Sequence, residues 1–237
     1  MVSNYFQALY AKGTKMIGNK PLFFWVIFLV LLSASLCSAV DFTGSSSAVF
    51  GIPTPTEGKT YSGVGTNEFT NGNGYYGNDP TKVTLGSINF STEVTKPFSI
   101  GQLTYFNGIT MVGSTVDSVP VDLVINFSGP KIFSENFSFW FEFNMRPNTG
   151  GPDESDILIV HDVYSTKTFN VNNVLYELEL LGFGNDAETI ISEFELEELD
   201  TVQSYLWAEI NVIPEPCTVI IFGLGGLTVL RRKKTAL

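Results

Sequence analysis

An antiparallel β-sandwich or jelly roll, built as a single all-β domain, is the fold this chain of 237 residues predicts. Three observations predict it. Apolar and polar residues alternate with period two in many short runs, clearest in FSFWFEF (137–143) and LYELELLGF (175–183). Clusters of Gly, Asn, Pro and Ser separate those runs, among them Ser128-Gly129-Pro130 and Asn148-Thr149-Gly150-Gly151-Pro152. Between Asp41 and Asn211 no stretch carries a capped apolar stripe of helical period. Alternation gives each strand one buried and one wet face, so two sheets must pack together to hide the buried faces.

Taken in order, the first 39 residues stand apart from that domain. Lys12, Lys15 and Lys20 precede the apolar run 22–36, expected to be helical, and Ser38 and Ala39 offer the small residues that suit signal peptidase cleavage after Ala39. A lipoprotein route through Cys37 fits less well, because Leu36 stands where a small residue is needed. A signal-anchor that stays uncut is the alternative, and either way the middle of the chain is exported. Residues 41–82, rich in Gly, Ser, Thr, Asn and Pro, are expected to be one long irregular segment. Its Phe42, Phe50, Tyr61 and Phe69 are expected to plug into the sandwich. Strands are expected at 87–92, 99–107, 119–128, 137–143, 156–163, 175–183, 191–199 and 204–212. Within 137–143, Phe139, Phe141 and Phe143 take one face, assigned to the core, and Trp140 and Glu142 take the other.

The chain ends on three features in a fixed order. Pro214, Glu215 and Pro216 resist both helix and sheet, since proline lacks an amide donor and forces its predecessor to extend. The uncharged run Cys217–Leu230 follows, then Arg231, Arg232, Lys233 and Lys234. As a helix the 14-residue run (217–230) would reach about 21 Å, short of the ~30 Å hydrocarbon core. The basic cluster holds its end in the cytoplasm. This tail, residues 212–237, resembles the PEP-CTERM sorting signal of Gram-negative bacteria. The resemblance implies recognition by exosortase, a transpeptidase-like membrane protease, and cutting near the Pro-Glu-Pro joint. It also implies that the membrane is held only transiently through 217–230, and that the mature protein lacks everything beyond about Pro216. An ordinary short membrane anchor is the competing reading.

The region between, residues 40–211, resembles the choice-of-anchor K domain. The segments FTGSSSAVFGIP (42–53), YSGVGTNEFTNG (61–72), PFSIGQLTYFNGIT (97–110), VDLVINFSGP (121–130), FEFNMRPNTGGPDESDILIV (141–160) and LYELELLGF (175–183) carry that resemblance in order. It departs at Asn71, where an aromatic is expected before the glycine, so that loop is expected to be built differently. The resemblance implies a β-rich surface domain and no assigned activity.

Charge and cysteine usage narrow the function classes. From Val40 to Ile213 the chain has 23 acidic and 6 basic residues, a net charge of −17. Such a surface repels nucleic acid and anionic lipid. Both cysteines, Cys37 and Cys217, lie in the sorting segments, so the mature domain has no thiolate for a disulfide or metal site.

Four groups of residues are candidates for chemistry. His161, the single histidine, adjoins Asp162, but neighbours on a strand point to opposite faces, so any partner must come from elsewhere. Glu177 with Glu179, and Glu193 with Glu195 and Glu197, have the i, i+2 spacing of paired carboxylates, and Asp153 with Asp156 are a further pair three residues apart. A solvated acidic face accounts for that spacing equally well. The loop 148–156 sets Asn148, Asp153, Glu154 and Asp156 beside glycines, the oxygen-rich kind of set calcium takes; a plain acidic turn is the alternative. Tyr75 and Tyr76, on a Gly-Asn loop, either form a platform for sugar rings or cover the end of the core. The expected molecule is an exported, exosortase-sorted protein of the cell surface or extracellular matrix. Its role is expected to be structural or adhesive, non-enzymatic, with extracellular polysaccharide as a candidate partner and no cofactor apart from a candidate structural calcium. A surface hydrolase acting on polysaccharide is the first alternative, and a periplasm-facing protein kept in the inner membrane the second.

Overall fold

The computed structural model describes residues 40–146 and 155–214. Several expectations lie outside the described residues. They are the leader with Ala39, the loop residues Asn148, Asp153 and Glu154, and the tail from Glu215 and Pro216 through 217–230 to Arg231, Arg232, Lys233 and Lys234. Pro214, the last described residue, is exposed just past the final strand.

Strands β1 (Asp41–Phe50), β5 (Asn89–Glu93), β7 (Ser118–Gly129), β8 (Phe133–Asn144), β9 (Asp156–His161) and β13 (Glu193–Leu196) form one sheet, in the order β13-β9-β8-β7-β1-β5. The other sheet runs β10-β11-β14-β6-β4-β3-β2. These are β10 (Ser165–Val171), β11 (Val174–Gly184), β14 (Thr201–Val212), β6 (Phe98–Phe106), β4 (Thr81–Ser87), β3 (Glu68–Asn71) and β2 (Tyr61–Ser62), with β12 (Ile190–Ile191) alongside β11. Every strand pair is antiparallel. Among the described residues there is no α-helix. The fold is the antiparallel β-sandwich that the alternation predicts.

Aromatic rings join the two sheets. Phe42 of β1 meets Phe169 and Tyr176 edge-on at 5.7 and 5.2 Å, and Phe141 of β8 lies 6.0 Å from Phe183 of β11. Phe50 lies 5.5 Å from Phe69. Phe137, Phe139, Phe141 and Phe143 are all buried, whereas Trp140 keeps 38% of its surface. The phenylalanine face of β8 is therefore the core face, as its alternation implies. Leu178, Leu180 and Phe194 are buried in the same way, opposite the wet glutamates.

Three expectations need correction. Residues 41–82 are not one irregular segment: β1 is a ten-residue strand between β7 and β5, and β2, β3 and the start of β4 follow it. Its phenylalanines plug in as expected, and Tyr61 stacks on Phe69. The strand is hidden in the sequence because its inward positions include serine and its middle a glycine. Ser46 is buried and its hydroxyl bonds the Ile100 carbonyl of the opposite sheet, so a small polar residue suits that site. At Gly44 a Cβ would sit 2.6 Å from the Phe90 ring and 2.3 Å from the Asn126 carbonyl. The run 191–199 is likewise not one strand. β12 lies in the second sheet and β13 in the first, so the chain crosses between sheets near Ser192. Finally, β10 is a strand outside the expected runs, since only Phe169 and Val171 of its seven residues face inward.

Asn71, just before Gly72, forms a buried clip to the backbone. It is fully buried, and its side-chain amide donates to the Val116 carbonyl at 3.2 Å while its oxygen accepts the Val116 N–H at 2.7 Å. A two-way clip of this kind supplies both backbone groups of a buried loop residue, which an aromatic ring does not. Gly72 follows with φ +89°, and a Cβ there would press on Thr110 and Thr115 at 2.8 Å. The clip sets the path of residues 110–117, which border the site described next.

Candidate functional site

The outer face of the six-stranded sheet carries the most distinctive surface chemistry. Register places Pro120, Trp140 and His161 in one row across β7, β8 and β9. In the next row Ser118 faces Glu142 and Ile159. The His161 ring stacks on Trp140, with centroids 5.2 Å apart and planes at 17°. Its Nε2 donates to the Glu142 carboxylate at 2.8 Å. This is a diagonal cross-strand contact, within reach because neighbours two residues off register still touch through long side chains. His161 thus has its carboxylate from another strand, and not from Asp162, which follows the strand with φ +57°.

Beside this row opens a cleft of about 520 Å³, lined by Thr115, Asp117, Ser118, Trp140, Glu142, Asn144 and Met145 together with Phe143. The volume lies within the range of small-molecule and sugar sites. The lining includes an aromatic ring, two carboxylates, hydroxyls and an amide, and among the described residues no lysine or arginine. Such a set can pack an apolar sugar face on the indole while the polar groups bond its hydroxyls. Alternation put Trp140 and Glu142 on the wet face; what it did not reveal was the row from neighbouring strands. The signal available in sequence was a tryptophan at a solvent position flanked by Ser138 and Glu142.

Tyr75 and Tyr76 do not cover the core. They are 45% and 89% exposed, in a 3-10 turn (Tyr75–Gly77), with ring centroids 4.3 Å apart. Tyr76 adopts the left-handed region at φ 50°, a conformation non-glycine residues enter at a cost. The turn is pinned to residues 109–111: Tyr75 N donates to the Ile109 carbonyl and Met111 N to that of Asn73, both at 2.8 Å. Residues 108–115 therefore connect the tyrosine turn to the cleft, which Thr115 lines.

Of the calcium candidates, Asp156 is the described one, and it does not point to solvent. It is 6% exposed, and its Oδ1 accepts the Arg146 N–H at 2.6 Å. Burial pushes its carboxyl above the usual carboxylate range and the nearby Glu198 adds to this, while the Arg146 N–H and the Asn107 amide pull the other way. No group of three or more His, Cys, Asp or Glu side chains gathers among the described residues. Glu177, Glu179, Glu193, Glu195 and Glu197 lie on wet faces.

A raised carboxyl favours its neutral form in the folded state. Its stabilising contribution is complete below the unfolded value and is lost as pH rises through the folded one. Melting temperature should therefore climb as pH is lowered from neutrality toward the ordinary carboxylate range near 4. The Asp156→Asn variant should show a smaller climb, and superimposable pH profiles of variant and wild type would refute this role for Asp156.

Comparison with protein-family models finds no match to this chain, and comparison with curated proteins finds none either.

Proposed function

We propose that this is an exported, exosortase-sorted surface protein whose β-sandwich binds neutral extracellular polysaccharide on the Trp140 face. The observation that carries the binding part is the half-exposed Trp140 at the margin of a polar cleft. Its lining without basic residues, on a region of net charge −17, favours uncharged sugars over anionic polymers. The exposed tyrosine turn is joined to the cleft through residues 108–115 and offers a second aromatic platform for sugar rings. The sorting part rests on the Pro-Glu-Pro joint, the short apolar run and the basic cluster, with Pro214 exposed after β14. Binding is favoured over hydrolysis because Glu142 and Asp117 border an open cleft. A glycosidase acid is usually raised by burial opposite a second carboxylate, and the buried Asp156 faces inward from a strand start.

A glycan array probed with the purified protein tests the reading. Neutral glucans or related polymers should be retained, with affinity rising with chain length. Trp140→Ala should weaken binding at least about tenfold, the order expected from losing one stacking ring. It should leave the fold intact, since the side chain stands on the wet face. Equal glycan retention by wild type and Trp140→Ala would sink the proposal.

A further inference from the structure

The second sheet has a wet face of its own, on the opposite side of the sandwich from Trp140. Along β14, Leu206, Ala208 and Ile210 are buried, so Tyr205, Trp207 and Glu209 point outward between them. The Tyr205 and Trp207 rings meet edge-on, with centroids 6.4 Å apart and planes at 66°, and form a corner. Trp207 is fixed there: its Nε1 donates to the Gly184 carbonyl at 3.0 Å, so the indole keeps its place and offers its π-surface alone. Register sets Gly184 of β11 beside Tyr205 and Gly182 beside Trp207, and glycines leave the flank of both rings low. Tyr164, 62% exposed, leans over Gly182, where a Cβ would lie 3.4 Å from its ring.

Carboxylates border this corner. Glu209 is the next outward residue after Trp207, and it pairs directly with Glu179 of β11. Like charges directly opposite on antiparallel strands repel, with their Cβ atoms about 4.5–5.5 Å apart. Among the described residues no ion pair includes either carboxylate. The lysines of this sheet and its borders are engaged elsewhere. Lys82 pairs with Glu68 at 3.7 Å and Lys96 with Glu93 at 2.7 Å, Lys131 bonds the Asn170 carbonyl, and Lys167 lies over the Phe137 ring. A fixed aromatic corner beside two opposed and unneutralised carboxylates complements a ligand with an apolar body and a positive charge. An ammonium is drawn both to the faces of Trp and Tyr and to carboxylates.

We propose that the outer face of β11 and β14 binds an amine-bearing polysaccharide of the glucosamine type. Its sugar rings pack on Tyr205 and Trp207 while an ammonium sits between Glu179 and Glu209. In such a sugar the ammonium is carried on the ring that stacks, so charge and apolar face bind as one rigid unit. A lysine ammonium ends a flexible stem, whose ordering costs more. The inference takes its extracellular setting from the export reading and takes nothing from the Trp140 cleft.

Calorimetry on the full-length chain in detergent tests it, at mildly acidic pH where the amines are charged and the carboxylates still ionised. The probes are a glucosamine oligosaccharide, its fully N-acetylated counterpart and a lysine oligopeptide. The glucosamine oligomer should bind at least about tenfold more tightly than either of the others, the scale of one charge-assisted hydrogen bond. Glu209→Gln should lose about tenfold in affinity for it, and Tyr205→Ala several-fold. Glu57→Gln, which removes the same charge from an exposed loop, and Trp140→Ala should bind it as the wild type does. Glu209→Gln should also raise Tm, because it relieves the repulsion from Glu179, so weaker binding there cannot come from damage to the fold. A lowered Tm would show that the pair is not repulsive and would overturn the proposal. Equal binding of the N-acetylated oligomer or of the lysine peptide overturns it, as does wild-type affinity in Glu209→Gln or Tyr205→Ala. A loss in Glu57→Gln as large as in Glu209→Gln would reduce the binding to general attraction by an acidic protein and overturn it too. Loss in Trp140→Ala alone would move the amine-bearing ligand to the other sheet, with the same consequence.

Discussion

Replacing Phe141 by alanine is expected to lower the stability of the domain by about 3–5 kcal/mol, the usual cost of emptying a buried phenylalanine site. Phe141 is fully buried on the core face of β8. Its ring lies 5.7 Å from Phe139 and 6.0 and 6.3 Å from Phe183 and Phe50, so the cavity would open among rings on three other strands or strand positions. Strands locked in two sheets relax little into such a space, which keeps the cost near the full value. For a domain of this length the loss corresponds to a fall of roughly 6–20 °C in Tm. Urea denaturation of the wild type, Phe141→Ala and Trp140→Ala gives the comparison. Trp140→Ala removes a larger side chain from the same strand but from its wet face, and should cost clearly less. An unchanged midpoint for Phe141→Ala would mean that β8 presents its other face to the core.

That comparison also marks how far the sequence can be read. In β8 and over 176–180 of β11 the large apolar residues recur every second position, so the inward face there follows from the pleat alone, whereas Phe183 turns inward only past a register shift at Leu180/Gly182. β1 escapes the same reading because the inward position Ser46 is polar, and its role depends on the Ile100 carbonyl of the opposite sheet. Alternation also carries no sheet label: nothing in 191–199 marks the crossing from one sheet to the other near Ser192. Buried polar residues are least legible. Asn71 and Asn107 look like turn residues, yet each is fully buried and laced to backbone far along the chain. Of the candidate site, the wet position of Trp140 was readable. The stacking of His161 upon it and the bond to Glu142 require the β8–β9 register, which no local pattern specifies.

Phe42→Ala is expected to have an effect of the same size, about 3–5 kcal/mol, although the residue lies close to the start of the domain. Cleavage after Ala39 would leave Val40 and Asp41 ahead of Phe42. Terminal residues normally fray, and a large effect so near a chain end requires that the end be tied down. β1 is tied on both edges: Phe42 pairs with Thr92 of β5 in register, and the strand runs antiparallel to β7 from Gly44 to Phe50. The Phe42 side chain is fully buried and touches Phe127 in its own sheet and Phe169 and Tyr176 in the other, all edge-to-face. Each such pair contributes about 0.5–1.5 kcal/mol beyond area burial, so the three together can hold the end of the strand against fraying. Alanine removes all three at once and leaves Phe169 and Tyr176 facing a void. Phe42→Leu refills part of that volume and should recover most of the loss. Denaturation midpoints test the energies, and amide hydrogen exchange at residues 42–45 tests the tether. A cost below about 1 kcal/mol, with those amides exchanging freely in the wild type, would mean that the first turns of β1 fray and the sandwich is anchored only from Ser46 onward.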